Sequence, residues 1–194
     1  MNKINIRGMI RNIQYSHNIG DIEYYKAQLL VKRQNNTEDL LNVKFKRFSC
    51  PYKENDQISL TGNIRTYSRK LPDGSNKVDV YIFTYFDTGE CDADNCVQLD
   101  GRICKITNMR KTRSGKDVVD FIIANNVVSE SGQVLNCYIP CVAWGKLAKE
   151  INKLKVGDLV NVVGELRSRQ YKKQISENDY EIRIAHEINV SEIL

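Results

Sequence analysis

Tyr138 and Trp144 stand six residues apart in Leu135–Trp144, a run that reads as one extended strand, so both rings project from the same side. Cations crowd the sequence on either side of them. Arg110, Lys111, Arg113 and Lys116 precede the run, Lys146 follows it, and Arg167, Arg169, Lys172 and Lys173 come later. Flat rings interleaved with positive charge suit a polymer that exposes flat bases along an anionic backbone. A ring stacked on a base contributes about 1–3 kcal/mol, while phosphate contacts make affinity fall with salt. The same rings would also serve to pack under a loop or at a subunit contact.

Other chemistry is poorly provided for. The sequence has no phosphate loop of the Walker type, no paired histidine and carboxylate motif, and no Ser or Cys with a neighbouring base. The expectation is a binding protein rather than an enzyme, with no cofactor and no small-molecule substrate. Cys91 and Cys96 flank Asp92-Ala93-Asp94-Asn95, but their spacing, with no second pair or histidine nearby, makes a poor zinc site, so no metal is assigned. Cys50, Cys104, Cys137 and Cys141 lie in or beside strand-like stretches, where a thiol behaves as a small core hydrophobe. His17 and His186 are isolated and carry no assigned role.

The elements that must hold these residues repeat along the chain. Ile4-Asn5-Ile6-Arg7-Gly8-Met9-Ile10 is echoed by Val97-Gln98-Leu99-Asp100-Gly101-Arg102-Ile103, and the segment Asn55 to Arg65 by Gly157 to Arg167. Two copies of one β-rich unit follow. The second copy carries an insertion of nine residues, of helical look, between its matching segments.

In that second copy, strands are expected over Val97 to Met109, Val118 to Asn126, Leu135 to Trp144, Leu159 to Tyr171 and Tyr180 to Val190. Leu147, Ile151 and Leu154 give Lys146 to Lys153 the spacing of a short helix with one buried side. Five strands with a helix between the third and fourth is the order of an OB barrel. The first copy fits the same plan without the helix, with strands near Lys3–Tyr15, Tyr24–Arg33, Leu41–Phe48, Gln57–Tyr67 and Lys77–Phe86. The expected fold is all-β with one short helix, as two tandem OB-fold five-stranded barrels. Residues 1–88 form a divergent first barrel, 89–96 a linker and 97–194 the second barrel. Gly8, Gly62, Gly101 and Gly164 recur at matching strand-interior positions, where a missing side chain lets a barrel strand coil sharply.

At 194 residues, 41% hydrophobic and 27% charged, the chain has the composition of an ordinary globule. Its net charge of +5 is spread over both halves, so an anionic partner must meet local basic patches. No long apolar stretch or secretion signal is present, so the expectation is a cytoplasmic protein with no membrane partner.

Tyr138-Ile139-Pro140-Cys141-Val142-Ala143-Trp144-Gly145-Lys146-Leu147-Ala148, followed by Leu154 through Tyr171, resembles the bacterial single-stranded DNA-binding protein family. Val97 to Ile103 and Ser114-Gly115-Lys116 through Phe121 to Asn125 are similar to its opening strands. The resemblance covers essentially the whole second copy. It implies that Tyr138, Trp144 and Tyr171 stack on bases, and that single-stranded DNA is the partner. A further stacking position of the family falls near Val127 to Ser129, where this sequence has no aromatic.

The first copy is much less similar to that family. Aligned with the second copy, Lys44 takes the place of Tyr138 and Cys50 that of Trp144, so stacking gives way to charge. Lys44, Lys46, Arg65, Tyr67, Arg69 and Lys70 are its candidate nucleic-acid contacts, and Tyr81, Phe83 and Tyr85 form a row facing away from the core, for bases or for another barrel. The family holds four OB folds per assembly, which implies a homo-oligomer, with a dimer favoured. The chain stops at Val190-Ser191-Glu192-Ile193-Leu194, without the acidic tail of recruiting relatives, which suggests a version serving a phage, plasmid or other mobile element. An RNA-binding module and a protein-interaction scaffold are the rival readings.

Overall fold

The structure is a computed structural model that describes residues 1–47, 52–71, 74, 76–87, 95–129, 131–176 and 179–194, with side chains for all of these except 85–87. The expected roles of Cys50, Cys91 and Tyr85 and most of the expected linker therefore lie outside what is described.

The first barrel comprises β1 (Asn2–Ile19), β2 (Ile22–Lys32), β3 (Glu38–Lys46), β4 (Gln57–Lys70) and β5 (Asn76–Asp87). Alternation dictates these strands. In β3, Asp39, Leu41, Val43 and Phe45 are buried while Leu40, Asn42, Lys44 and Lys46 are only half-buried. β1 pairs with β2 and β4, β2 with β3, β3 in parallel with β5, and β4 with β5, which closes the sheet. The strands outrun the expected ones at the β1–β2 hairpin, where pairing continues to Ile19 and Ile22 because Tyr15, Tyr24 and Tyr25 give its arms cross-strand ring contacts.

The second barrel follows the same circuit. β6 (Asn95–Ile106), β8 (Asp117–Val128), β9 (Val134–Trp144), β10 (Leu159–Gln174) and β11 (Tyr180–Ile193) close it, with the two-residue β7 (Arg110–Lys111) against β8. The short α1 (Lys146–Ile151) lies between β9 and β10, burying Ala148 and Ile151. Cys137, Ile139, Cys141 and Ala143 form the buried side of β9. At Gly164 a Cβ would lie 2.5 Å from the Asn189 carbonyl oxygen, and a bulge between Val163 and Gly164 bends β10 there. Each interior is apolar: Ile6, Leu29, Leu41, Ile64 and Ile82 in the first, Leu99, Phe121, Ile123, Ile139 and Ile188 in the second. The helix is too short to cross a membrane.

β1 and β6 pair antiparallel and join the barrels into one 11-stranded sheet. Ile4 faces Val97, and these are equivalent residues of the repeat, so a local two-fold axis passes between them. The axis relates two further contacts. The Tyr138 backbone N–H donates to Thr66 Oγ1 at 2.9 Å, and the Leu40 N–H donates to Ser168 Oγ at 3.1 Å.

Strand register corrects the expected matching of Lys44 with Tyr138 and Cys50 with Trp144. Leu29 faces Leu41 as Ile123 faces Ile139, which sets Leu40 at the Tyr138 position and Lys46, not Cys50, at that of Trp144. The additional residues of the second copy are divided between the longer arms of its β8–β9 hairpin and the segment bearing α1 rather than gathered in the helix.

Candidate nucleic-acid interface

On β9 every second residue points outward, and the interior positions hold the strand so that Tyr138 and Trp144 are 46% and 40% exposed. Between them Val142 is buried, beside Asn189 on the neighbouring strand β11. The Trp144 indole N–H donates to Asn189 Oδ1 at 2.8 Å, which fixes the edge of a ring that is otherwise partly open to solvent. Tyr171 stands on the outer part of β10, 37% exposed, with the Arg169 guanidinium 5.9 Å from its ring centre. A groove of about 430 Å³ runs past Trp144, lined by Lys116, Val142, Arg167, Arg169 and Asn189 and closed by Arg33 of the first barrel.

Several of the expected cations are already paired. Arg169 bonds Glu187 at 3.2 Å, which raises its pKa, Arg167 bonds Glu165 at 2.8 Å, and Arg110 bonds Asp120. Such exposed pairs exchange readily for a phosphate because they are individually weak. Lys111, Arg113, Lys116 and Lys146 are exposed, and Lys116 lines the groove. Lys172 lies 4.3 Å from the Tyr180 ring centre, and Lys173 is half-buried on the same hairpin. Near the position without an aromatic, Val127 is buried and Val128 exposed.

The first barrel distributes its candidates differently. Tyr67 is 60% exposed, Lys70 is exposed and Arg69 bonds Asp79 at 2.9 Å. Lys44 sits 4.2 Å from the Tyr81 ring centre, and burial lowers its pKa. Arg65 departs from the expected surface cation: it is only 7% exposed, with its guanidinium 3.8 Å from the Phe83 ring centre and Nε donating to Asn63 Oδ1. Phe83 is correspondingly buried rather than presented in an outward row, because Arg65 and Tyr24 cover it. Charge and ring satisfy each other there in place of solvent.

A second set of residues, with no role assigned from the sequence, fixes one barrel against the other. Asp39 is fully buried, held in a two-pronged ion pair by Arg33 at 2.6 and 2.7 Å. It also accepts from the Ser168 N–H at 2.6 Å and from Ser168 Oγ at 3.1 Å. Burial pushes its carboxyl up, but the hydrogen bonds from Arg33 and Ser168 outweigh that and bring its pKa below the usual aspartate range. Neutral His186 donates from Nε2 to the Leu40 carbonyl at 2.9 Å, and burial lowers its pKa. The one signal in the sequence was the hydroxyl residue following the matched Arg65 and Arg167. Among the described residues, no three His, Cys, Asp or Glu side chains converge to hold a metal.

The model of the Single-strand binding protein family matches residues 94–192. The chain is 35% identical over 89 residues to a single-stranded DNA-binding protein of Enterococcus faecalis, covering 44% of this chain and 47% of that one. It is 37% identical over 83 residues to single-stranded DNA-binding protein A of Bacillus subtilis, covering 41% and 48%. The chain thus spans about half the length of the curated relatives it matches. Among solved structures, the wild-type single-stranded DNA binding protein from Thermus aquaticus superposes with a TM-score of 0.71 at 17% identity, over 100% of this chain and 92% of that one. That likeness extends the shared fold to both barrels.

Proposed function

The chain belongs to the single-strand binding protein family, and from that premise we propose that it binds single-stranded DNA with little sequence preference, without catalysis, mainly through its second barrel (residues 97–194). The observation that carries this reading is the exposure of Trp144, held edge-on by Asn189, on the same outward side of β9 as Tyr138. Tyr138, Trp144 and Tyr171 stack on successive bases, which any base accepts because each has a π-face. Lys111, Arg113, Lys116, Lys146, Arg167, Arg169, Lys172 and Lys173 meet the phosphates, with Arg110 beside them. The work is protection of exposed strands in the cytoplasm. The first barrel (residues 1–88) extends the site, and two chains associating as a homodimer would bring four barrels together.

Titration of Trp144 fluorescence with oligo-dT at two salt concentrations tests this directly, since it is the only tryptophan. Quenching that saturates, with affinity lower at higher salt, is the expected result. Absence of quenching overturns the reading in favour of a protein scaffold. Tighter binding of a matched RNA in competition overturns the choice of DNA.

A further inference from the structure

The first barrel has a counterpart of the Trp144 groove, and it is built from different chemistry. Lys44 faces Phe83 across the parallel β3–β5 pair as Val142 faces Asn189 across β9–β11. Lys46 accordingly occupies the place of Trp144, and Phe83 that of Asn189. Around these residues lies a cavity of about 490 Å³, within the range of about 300–1,000 Å³ typical of small-ligand sites.

Two features point to its occupant. The lining brings Lys44, Lys46 and Arg65 together on one side. Lys44 is also drawn out of water, so an arriving anion would restore the solvation that burial removes. The aromatic component comes from the β1–β2 hairpin, where His17 and Tyr24 stack with ring centres 5.0 Å apart and planes 5° from parallel. His17 is exposed, and both rings line the cavity. A ring stack beside clustered cations is the combination that recognises a nucleotide unit.

The cavity also lies on the seam. Its far wall is the β8–β9 turn of the second barrel, with Ser129, Ser131 and Gln133, and the start of β9 at Leu135. Leu135 shares its strand with Tyr138, about 10 Å further along. Each barrel therefore closes the other's groove: Arg33 of the first reaches the Trp144 groove, and the β8–β9 turn of the second completes this one.

We propose that the seam cavity is a further nucleotide subsite, in which a base stacks on the His17–Tyr24 pair and its phosphate meets Lys44 and Lys46. A single strand bound at Tyr138 continues through it onto the first barrel. The proposal rests on the single-strand binding reading above and adds to it a path and a second set of rings.

The full chain tests it with oligo-dT of two lengths, about 8 nucleotides to fit one barrel and about 30 to span both. The double substitution His17→Ala, Tyr24→Leu is expected to weaken the long oligomer about tenfold and leave the short one within about twofold, on the single-base stacking scale. On the unsubstituted protein, photocross-linking with iododeoxyuridine in the long oligomer is expected to label the β1–β2 hairpin peptide as well as β9, which requires no variant to fold. Long-oligomer affinity unchanged in the double variant, or cross-links confined to the second barrel, overturns the subsite while short-oligomer binding still upholds the parent reading. Failure of the unsubstituted chain to bind either length overturns both.

Discussion

Thr66 Oγ1 accepts the backbone N–H of Tyr138 at 2.9 Å, so the strand that carries the outward rings of the second barrel is anchored to β4 of the first. The same contact recurs across the two-fold axis, from Leu40 to Ser168. The barrels are not beads on a string. Each supplies a hydroxyl acceptor to a strand of the other, Thr66 to β9 and Ser168 to β3.

The seam depends on Asp39. Replacing it with alanine leaves Arg33 half-buried without its carboxylate and the Ser168 N–H without its acceptor. Breaking a buried pair on one side costs roughly 3 kcal/mol or more. Urea unfolding of Asp39→Ala is expected to show that loss, and Asp39→Asn, which keeps an acceptor for Ser168, a smaller one.

Acid should weaken the same seam in two stages. His186 has a lowered folded pKa, so its neutral contact contributes fully above the ordinary histidine value of about 6.5. As pH falls below that value the unfolded chain takes up a proton that the folded seam refuses, and stability declines until the folded pKa is passed. Asp39 has a lowered pKa too, and its contribution is lost further down, as pH falls from the ordinary aspartate value through the depressed one. Thermal melts across this range should show both declines. His186→Leu is expected to remove the first and leave the second.

Ring stacking at Trp144 should dominate affinity. Trp144→Ala removes one stacked base, a loss of about 5- to 100-fold for oligo-dT, readable by electrophoretic mobility shift. Asn189→Leu leaves the ring but removes the acceptor of its N–H, so tryptophan anisotropy should fall while affinity drops less than in Trp144→Ala.

The salt response counts phosphate contacts. For single strands each contributes about −0.7 to the slope of log affinity against log salt. Lys146→Ala and Arg113→Ala, both at exposed sites, should each make the slope shallower by about that amount, measured by titration at several salt concentrations.

Gly164 tests the coiling of β10. A methyl group there would sit 2.5 Å from the Asn189 carbonyl oxygen, forcing β11 outward. Gly164→Ala is expected to lower the Tm and, because Asn189 also holds Trp144, to shift the tryptophan emission of the folded protein.

The sequence alone carried the strand order, the repeat and the outward placement of Tyr138 and Trp144, because a period of two and a chain echo are local properties written residue by residue. Leu41, Val43 and Phe45 alternate with polar neighbours whatever the barrel packs against. What only the tertiary structure decided is how charges and rings are spent. Arg65 and Phe83 read as surface groups, yet each is within reach of a partner from another strand and they bury together. Lys46, rather than Cys50, took the Trp144 position because cross-strand pairing, which no local pattern encodes, fixed the register. Asp39, Ser168 and His186 gained roles only because β1 and β6 pair and bring two distant segments together, and the free energy of such non-local contacts depends on a geometry that exists only once the chain has folded.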